Sequence, residues 1–536
     1  MRKFIHSTSA FWVVVSAVFM TIFANYTMFA KASSWLASSG TSQIYMVALS
    51  LYQFLLLLFL MALLSMHRWY RPAIAIFLFL AAFSAYFSDS YGVIIDKDML
   101  INALETNVSE AAGLVSWRAF FYLTTLFAVP TYLLYKFPVK TQSLRQRMFH
   151  HGGVAVLALI GIAVTFLATS AFSASFFREQ KQIRVYSSPT AALYAFYQIG
   201  NRALFSPSQT FTKIGEDAVI HPPSGDRELI ILVVGETARA DRFSLNGYSK
   251  NTNPLLSKEN VVSFNNVASC GTSTAISVPC MFSSEGKDKF DLSKFKNKEN
   301  ILDVAGKAGV SILWRDNNSS SKGVADRFPY EDFSTPKNNP VCDPECRDIG
   351  MLKGLDEYIN QQKKGDIVIV LHQMGSHGPS YHERVPESFQ KFKPICKTNQ
   401  LDKCSNEEIS NAYDNTILYT DYFLSEVIKF LKKYDDRFET SMFYVSDHGE
   451  SLGEYGMYLH GMPYSLAPEG VTNVPLILWF GEKLIKTQNL DMNLLRRQRN
   501  KAITHDQVFH TLLGILEIET SIYKKEKDLQ ALGIRK

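Results

Sequence analysis

Carboxylate and imidazole side chains follow the ends of several apolar runs in the second part of the chain. They are Glu236, His377, Asp447, His448 and His460. Zn²⁺ takes such mixed oxygen and nitrogen ligands in near-tetrahedral geometry, and open α/β sheets collect their ligands at the ends of strands. Any one of these residues alone is typical of a cap, a turn or a hydrogen-bonded core histidine. Their recurrence at several strand ends predicts a metal site.

A hydroxyl-rich segment between Cys270 and Cys280 supplies candidate nucleophiles. The hydroxyls of Thr272, Ser273 and Thr274 precede a helical stretch, where such residues ordinarily cap the helix. The free N–H groups of a helix N-terminus also suit a phosphoryl oxygen, and a hydroxyl bound to Zn²⁺ can attack phosphorus near neutral pH. The spacing alone leaves all three hydroxyls as candidates.

The strands that would position these residues are short apolar runs. They lie at 229–234, 310–314, 366–371, 441–446 and 474–480. Helical patterns alternate with them, at 299–308, 407–433 and 505–516. This alternation predicts a soluble α/β domain with a mainly parallel sheet sandwiched by helices.

Longer apolar runs fill the first third of the chain. They lie at 11–30, 44–66, 72–95, 118–137 and 153–172. Each is long enough to cross a hydrocarbon core of about 30 Å, and the first lacks the small-residue cleavage site of a signal peptide. Basic residues precede the first run and fill alternate loops, so the positive-inside rule puts the N-terminus in the cytoplasm and everything after about residue 172 outside.

These patterns divide the chain into three parts. Residues 1–172 are predicted to form a transmembrane domain of five helices. Residues 173–228 mix aromatic and charged side chains, which favours amphipathic bridging helices along the outer bilayer surface and then a linker. Residues 229–536 are predicted to form the catalytic domain.

The six cysteines support the outside placement of the second part. They form three close sequential pairs: Cys270/Cys280, Cys342/Cys346 and Cys396/Cys404. Even numbers in short-range pairs indicate local disulfides and an oxidising compartment, whereas the spacing of a thiolate zinc site fits only the second pair. The net charge of +5 is small for 536 residues and argues against a nucleic-acid partner.

A loop after the third apolar run carries a further polar pattern. Asn102, Thr106 and Glu110 are spaced so that they share one face of a helix. From the spacing alone, this pattern is typical of the solvated face of a loop helix.

Three longer motifs make a family resemblance specific. They are Val-Val-Gly-Glu-Thr-Ala-Arg-Ala-Asp at 233–241, Cys-Gly-Thr-Ser-Thr-Ala at 270–275 and Ser-Asp-His-Gly-Glu-Ser-Leu-Gly-Glu at 446–454. Over essentially its whole length the chain resembles the lipid A phosphoethanolamine transferases, which include the transferable colistin-resistance enzymes. The resemblance implies an alkaline-phosphatase-like catalytic domain in the periplasm and a multi-pass anchor in the Gram-negative inner membrane.

The resemblance also implies a nucleophile and a ligand set. Thr274 would be the nucleophile. The ligands of one tightly bound Zn²⁺ would be Glu236, Thr274, Asp447 and His448. The family's three disulfides match all three cysteine pairs.

Substrate-binding residues follow from the same resemblance. His377 and His460 would hold a second Zn²⁺ during turnover or the phosphoethanolamine group, and would handle protons. Asn318 and Lys322 would bind phosphate. The lipid head group would lie near Asn102, Thr106 and Glu110, which replaces the solvated-face interpretation.

The implied reaction transfers phosphoethanolamine from phosphatidylethanolamine to a lipid A phosphate through a covalent intermediate on threonine. It would reduce surface negative charge and confer polymyxin resistance, and the enzyme is expected to act as a monomer in the bilayer. One alternative is a lipoteichoic-acid-synthase-like or other head-group transferase. Another is a non-catalytic membrane-anchored protein that binds lipid or metal. A sulfatase is disfavoured, because neither Cys270 nor Cys280 lies in a C/S-x-P-x-R motif.

Overall fold

The computed structural model describes residues 8–67, 69–105, 114, 116–205, 210–220, 226–343 and 345–534. The chain forms two compact units, one of Met1–Leu100 with Val115–Phe205 and one of Ile101–Leu114 with Ser206–Lys536. The residues of the predicted bridging segment up to 205 thus group with the first unit.

The first unit is helical. Its helices, together with the helix that leads into the second unit, are α1 Ser9–Phe23, α2 Tyr26–Ser38, α3 Tyr45–Leu64, α4 Tyr70–Tyr91, α5 Lys97–Glu105, α6 Trp117–Tyr122, α7 Val129–Lys136, α8 Leu144–Ala168, α9 Ser170–Glu179, α10 Lys181–Arg184 and α11 Thr190–Phe205. A π-helical turn, Leu123–Ala128, joins α6 to α7.

The predicted count of five membrane spans is not confirmed. Within the described residues, three helices are long and apolar enough to cross a membrane, namely α3, α4 and α8; the pair α1 and α2, bent by 57°, would make a fourth. The run 118–137 is divided among α6, the π-helical turn and α7. Hydropathy does not reveal the bend between α1 and α2 or the π-helical turn between α6 and α7, because the side chains on either side of each remain mostly apolar.

A buried amide lies at the bend between α1 and α2. Asn25 Nδ2 donates to the carbonyl of Met20 and to that of Ser188, both at 3.0 Å, and the Ser188 N–H donates to Asn25 Oδ1 at 2.8 Å. Gln53 Nε2 on α3 donates to the same Ser188 carbonyl at 2.9 Å. These bonds tie the bend to α3 and to the segment before α11, and they satisfy polar groups where a hydrocarbon environment offers no water.

The second unit is an α/β domain. Its strands are β1 Val219–Ile220, β2 Glu228–Gly235, β3 Val261–Ala268, β4 Ser311–Asp316, β5 Tyr330–Asp332, β6 Ile367–His372, β7 Glu439–Ser446, β8 Ser451–Leu452, β9 Tyr458–Leu459, β10 Asn473–Phe480, β11 Ile503–Thr504 and β12 Ile518–Glu519. Its helices are α12 Thr274–Met281, α13 Leu292–Phe295, α14 Ile301–Lys307, α15 Leu355–Gln361, α16 Asn406–Lys432, α17 Glu469–Thr472, α18 Glu482–Thr487, α19 Met492–Arg497 and α20 Asp506–Ile515.

The main sheet has eight strands in the order β11-β3-β10-β7-β2-β6-β4-β5. Strand β10 runs antiparallel to both of its neighbours, β3 and β7, whereas the other neighbouring pairs are parallel. The sheet is therefore mixed, and the prediction of a mainly parallel sheet is corrected at this strand. A strand buried on both faces has the same continuous apolar pattern whichever way it runs, so the sequence could not reveal its direction.

Both faces of the central strand β2 are covered. Ile230, Leu232 and Val234 belong to a core that includes residues of α14 and α20, and the alternate residues of the strand are also fully buried. The apolar β-branched run thus forms an interior strand, as the pattern predicts. Helix α16, which packs against β7, begins at a capping box formed by Ser405 and Glu408.

Two buried carboxyl groups lie at the amino edge of the sheet, where β2 and β7 begin. Glu228 pairs in register with Glu439, and Gln488 Nε2 donates to one oxygen of each at 3.3 Å. Burial and the neighbouring charge of Glu439 raise the pKa of Glu228 well above its ordinary range. A carboxyl group with a raised folded pKa stabilises the fold below its unfolded pKa of about 4.3, and that contribution is lost as the pH rises toward the folded value.

Glu228→Gln is therefore expected to raise the thermal unfolding midpoint of the full-length protein more at pH 8 than at pH 5, because the amide donates to Glu439 without a titrating proton. Each 1 kcal/mol recovered corresponds to roughly 2–4 °C. Scanning fluorimetry in detergent measures the shift. Glu482→Gln is the control, since that side chain is 85% exposed. An equal shift at both pH values would contradict the assignment.

Candidate active site

Two adjacent parallel strands bring the carboxylates of the site together. Gly235 at the end of β2 pairs with Ser446 at the end of β7, so Glu236 and Asp447 leave the sheet side by side. His448 Nε2 lies 3.5 Å from Glu236 Oε1 and 3.4 Å from Asp447 Oδ2. One ligand atom from each of the three buried residues lies within 4.8 Å of the other two. Two carboxylates and an imidazole at this separation can hold a divalent cation.

Thr274 completes the cluster. It is the first residue of α12, and its hydroxyl donates to Glu236 Oε2 at 3.0 Å and lies 3.3 Å from His448 Nε2. The hydroxyl of Thr272 instead donates to the carbonyl of Met462 at 2.6 Å. Of the candidate hydroxyls, Thr274 is thus the one that the structure joins to the predicted ligands.

The loop before α12 is held from several directions. The structure forms the Cys270–Cys280 disulfide, as well as Cys342–Cys346 and Cys396–Cys404. The N–H of Gly271 donates to the Ser277 hydroxyl at 2.8 Å, and the N–H of Cys270 donates to His505 Nδ1 at 3.0 Å. Thr274 therefore enters the site from a rigid turn, and the helix N-terminus behind it offers free N–H groups.

Neighbouring groups orient each ligand. The carbonyl of Gly449 accepts from His448 Nδ1 at 2.9 Å, which leaves Nε2 to present its lone pair to the cluster. Asn318 Nδ2 donates to Glu236 Oε2 at 2.7 Å, and the Thr237 hydroxyl donates to Glu236 Oε1. Such outer partners fix the position and basicity of metal ligands.

The two carboxylates differ in their electrostatics. Burial alone would raise the pKa of Glu236, but the charges of His448, His377 and His460 and the Thr237 hydroxyl hold it below its usual range. Burial and the charge of Glu236 raise the pKa of Asp447. Among the described residues, the buried Oδ2 of Asp447 has no hydrogen-bond donor. A buried carboxylate oxygen without a donor, 3.4 Å from an imidazole nitrogen, fits a bound metal ion.

Two further histidines lie next to the cluster. The ring of His460 is 4.4 Å from that of His448 and 5.2 Å from that of His377, measured between centroids. Glu450 Oε1 lies 3.2 Å from His460 Nδ1. His377, His448 and His460 thus cluster with Glu236 and Asp447 beyond the carboxyl ends of β2 and β7.

The structure adds partners that the sequence analysis did not single out. Thr237 and Glu450 contact predicted site residues directly, and both stand inside the quoted motifs, beside Glu236 and two residues after His448. Gln373 accepts from Asn318 Nδ2 through its carbonyl at 2.8 Å. Thr237 and Glu450 can be found from the motifs that contain them. The contact made by the Gln373 carbonyl can be found only from the folded structure.

The structure places some of the remaining predicted residues and leaves others outside the described part of the chain. Asn318 positions Glu236, and its predicted phosphate contact stays a prediction. Lys322, in the same loop, is buried and its ammonium donates to the Ser319 carbonyl at 3.3 Å. Asn102 is buried in α5. Thr106 and Glu110 lie outside the described residues.

Comparison with known proteins decides the family. Residues 53–204 match the family model "Phosphoethanolamine transferase EptA/EptB", and residues 228–518 match the model "Sulfatase". The chain is 39% identical over 528 residues to the phosphatidylethanolamine transferase Mcr-1 of Escherichia coli, covering 96% of each chain. The chain belongs to the phosphoethanolamine transferase family.

Solved structures of this transferase family agree with the fold. The integral membrane lipooligosaccharide phosphoethanolamine transferase A (EptA) of Neisseria meningitidis superposes with a TM-score of 0.94 at 33% identity, covering 99% of this chain and all of that one. The C-terminal periplasmic domain of the phosphoethanolamine transferase EptC of Campylobacter jejuni is 45% identical, with a TM-score of 0.53, over 60% of this chain and 97% of that one. The Sulfatase model matches the part of the chain that forms the α/β second unit.

Asp447→Asn is expected to raise the unfolding midpoint of the chelator-treated transferase, because it removes a second charge from one buried volume. The same change should abolish the stabilisation that wild type gains on adding Zn²⁺, which is about 2.7 kcal/mol at a hundred times Kd. Thermal unfolding with and without Zn²⁺ measures both effects.

Asp288→Asn, at an exposed position, is the matched control for this change. It should leave both midpoints as in wild type. Zinc stabilisation of the Asp447→Asn variant equal to that of wild type would rule out Asp447 as a ligand.

Proposed function

We propose that the protein transfers phosphoethanolamine from phosphatidylethanolamine to a phosphate of lipid A through a covalent intermediate on Thr274. The observation that carries the proposal is the position of the Thr274 hydroxyl, 3.0 Å from Glu236 Oε2 and 3.3 Å from His448 Nε2 at the start of α12. The names of the relatives support the donor group and an acceptor of the lipooligosaccharide class.

Glu236, Thr274, Asp447 and His448 would hold a Zn²⁺ ion, which when bound lowers the pKa of a hydroxyl and draws charge from phosphoryl oxygens. Glu236 keeps its carboxylate ionised and fixed between Asn318 and Thr237, so it also accepts the hydroxyl hydrogen of Thr274. This orientation leaves a lone pair of Thr274 Oγ1 available to phosphorus.

In the first half-reaction, Thr274 Oγ1 attacks the phosphorus of phosphatidylethanolamine and the bond from phosphorus to the diacylglycerol oxygen breaks. The hydroxyl proton passes toward Glu236, and the leaving oxygen takes a proton from His377 or His460. The N–H groups at the start of α12 and the side chain of Lys322 stabilise the charge that develops on the phosphoryl oxygens.

In the second half-reaction, a phosphate oxygen of lipid A attacks the same phosphorus, and the bond to Thr274 Oγ1 breaks. Thr274 regains its proton from Glu236, and the attacking phosphate, which enters monoprotonated, gives its proton to the histidine that protonated diacylglycerol, so the cycle closes with no net gain or loss of protons on the enzyme. Each transfer adds an ammonium group to lipid A and masks phosphate charge. Cationic polymyxins then bind the surface less well.

The same proposal assigns a location. The first unit would span the inner membrane with the N-terminus in the cytoplasm, the second unit would lie in the periplasm, and the protein would act as a monomer. Asn102, Thr106 and Glu110 would lie near the lipid head group. The three disulfides suit that oxidising compartment.

Mass spectrometry of lipid A from expressing cells tests the reaction. Wild type is expected to yield a phosphoethanolamine adduct that is absent in Thr274→Ala, because among the described residues only the Thr274 hydroxyl lies close to both Glu236 and His448. Ser273→Ala, which removes the adjacent hydroxyl, is expected to retain the adduct. A wild-type level of adduct in Thr274→Ala would contradict the nucleophile, and no adduct from well-expressed wild type would contradict the acceptor.

Chelation tests the metal in turnover. Detergent-purified enzyme treated with EDTA should lose the release of diacylglycerol from phosphatidylethanolamine. Zn²⁺ should restore it and Mg²⁺ should not, since Mg²⁺ prefers six oxygen ligands in octahedral geometry. Full activity after verified removal of metal would refute the proposed cofactor, as would equal rescue by Mg²⁺.

A further inference from the structure

A cavity of about 380 Å³ lies within the helical first unit, between α2, α3, α8 and the α9–α10 segment. Its volume falls in the range of about 300–1,000 Å³ that is usual for ligand pockets. Most of its lining is apolar: Met28, Phe29, Leu49, Leu56, Ile162 and Phe166. The volume is therefore suited to a hydrocarbon guest.

Polar groups line one side of the cavity, but they bond to one another. The Ser187 hydroxyl donates to Gln53 Oε1 at 2.6 Å, and Gln53 Nε2 donates to the Ser188 carbonyl at 2.9 Å. An ordered water molecule needs two to four polar partners, and the Gln53 amide on this wall already bonds within the protein. An apolar chain thus fits the space better than ordered water does.

A basic side chain, Arg184, lies at the same cavity. Arg184 belongs to the lining, is exposed, and its guanidinium carbon is 5.9 Å from the centre of the Phe177 ring. Arginine is well suited to phosphate, because its planar fork of donors matches phosphate oxygens. The cavity therefore combines an apolar interior with an exposed side chain suited to phosphate.

Aromatic rings mark this level of the unit as a membrane interface. Tyr45 and Phe172 stack with centroids 4.1 Å apart, and Trp35 lies 5.5 Å from Phe176. Tyrosine and tryptophan concentrate where the hydrocarbon core meets the head groups. A lipid whose chain enters the cavity would hold its phosphate at this level, which is where Arg184 lies.

We propose that this cavity binds one acyl chain of a bilayer glycerophospholipid, with the lipid phosphate at Arg184. All the lining residues belong to the first unit, so the site is a feature of the membrane part of the chain. The proposal concerns binding and does not depend on the transfer reaction.

The test uses full-length protein in nanodiscs that contain phosphatidylethanolamine with a diazirine in the distal half of one acyl chain. After illumination, peptide mass spectrometry maps the crosslinks. In wild type they should concentrate on the cavity-facing positions of α3 and α8 and saturate with probe. Labelling spread evenly over lipid-facing residues such as Leu157, 68% exposed, would mean annular lipid only and would overturn the proposal.

Matched variants locate the site. Ala32 lines the cavity and is buried, whereas Ala37 on the same helix is exposed. Ala32→Phe should lower cavity labelling by roughly tenfold or more, since displacing only two methylenes has that effect, and Ala37→Phe should leave it unchanged. Equal labelling in the two variants would overturn the proposal.

A second pair of variants keeps the test decisive if Ala32→Phe, which fills the cavity, fails to fold. Arg184→Gln should lower cavity labelling by about tenfold, the usual effect of losing a charged hydrogen bond. Arg178→Gln, which removes the same charge outside the cavity lining, should not. Labelling of the Arg184→Gln protein at the wild-type level would refute the phosphate contact. The readout needs no turnover, so repeating it in Thr274→Ala separates its failure from that of the proposed reaction.

Discussion

The parallel pairing of β2 with β7 places Glu236 and Asp447 side by side at one edge of the sheet, with both carboxylates buried. Like charges this close raise each other's cost of ionisation, so the surrounding groups act to compensate. Asn318 and Thr237 donate to Glu236, and the Thr237 N–H donates to Asp447 Oδ1 at 3.2 Å. A divalent cation held by the two carboxylates would complete this compensation, so the close approach of two buried charges is the constraint on which the site depends.

The hydroxyl proposed as the nucleophile is held by a different part of the chain. Thr274 begins a helix whose preceding loop is fixed by the Cys270–Cys280 disulfide and by bonds to Met462 and His505. These restraints hold the Thr274 hydroxyl at hydrogen-bond distance from Glu236. Sheet and loop contribute separately: the strands position the proposed metal ligands, and the disulfide-framed turn positions the proposed nucleophile.

Much of the soluble domain could be predicted from the sequence, since each apolar run that leads to a ligand became an interior strand. Glu236 and Asp447 follow their strands directly, and no long-range information is needed to place them at one edge of the sheet. The sequence could not choose among Thr272, Ser273 and Thr274, because the choice depends on how α12 meets β2 and β7. The sequence pattern predicts neither strand β3 nor the antiparallel direction of β10, because pairing partners are non-local.

The membrane part was harder to predict for a related reason. Apolar runs indicate burial in lipid, but they carry little information on where a helix breaks. The bend at Asn25 depends on the Ser188 carbonyl, 163 residues away in the chain, and the π-helical turn at Leu123–Ala128 is as apolar as its flanks. All three cysteine pairs were predicted correctly, because each pair is close in sequence and its pairing can be read from local spacing.

The central claim is that Thr274 carries the transferred group, and trapping that adduct tests it most directly. Purified full-length enzyme would be incubated with phosphatidylethanolamine in the absence of lipid A, and its peptides mapped by mass spectrometry. The account predicts phosphoethanolamine on Thr274 that disappears when lipid A is added. Phosphoethanolamine on a different residue would contradict it, as would an unmodified enzyme that still transfers the group to lipid A.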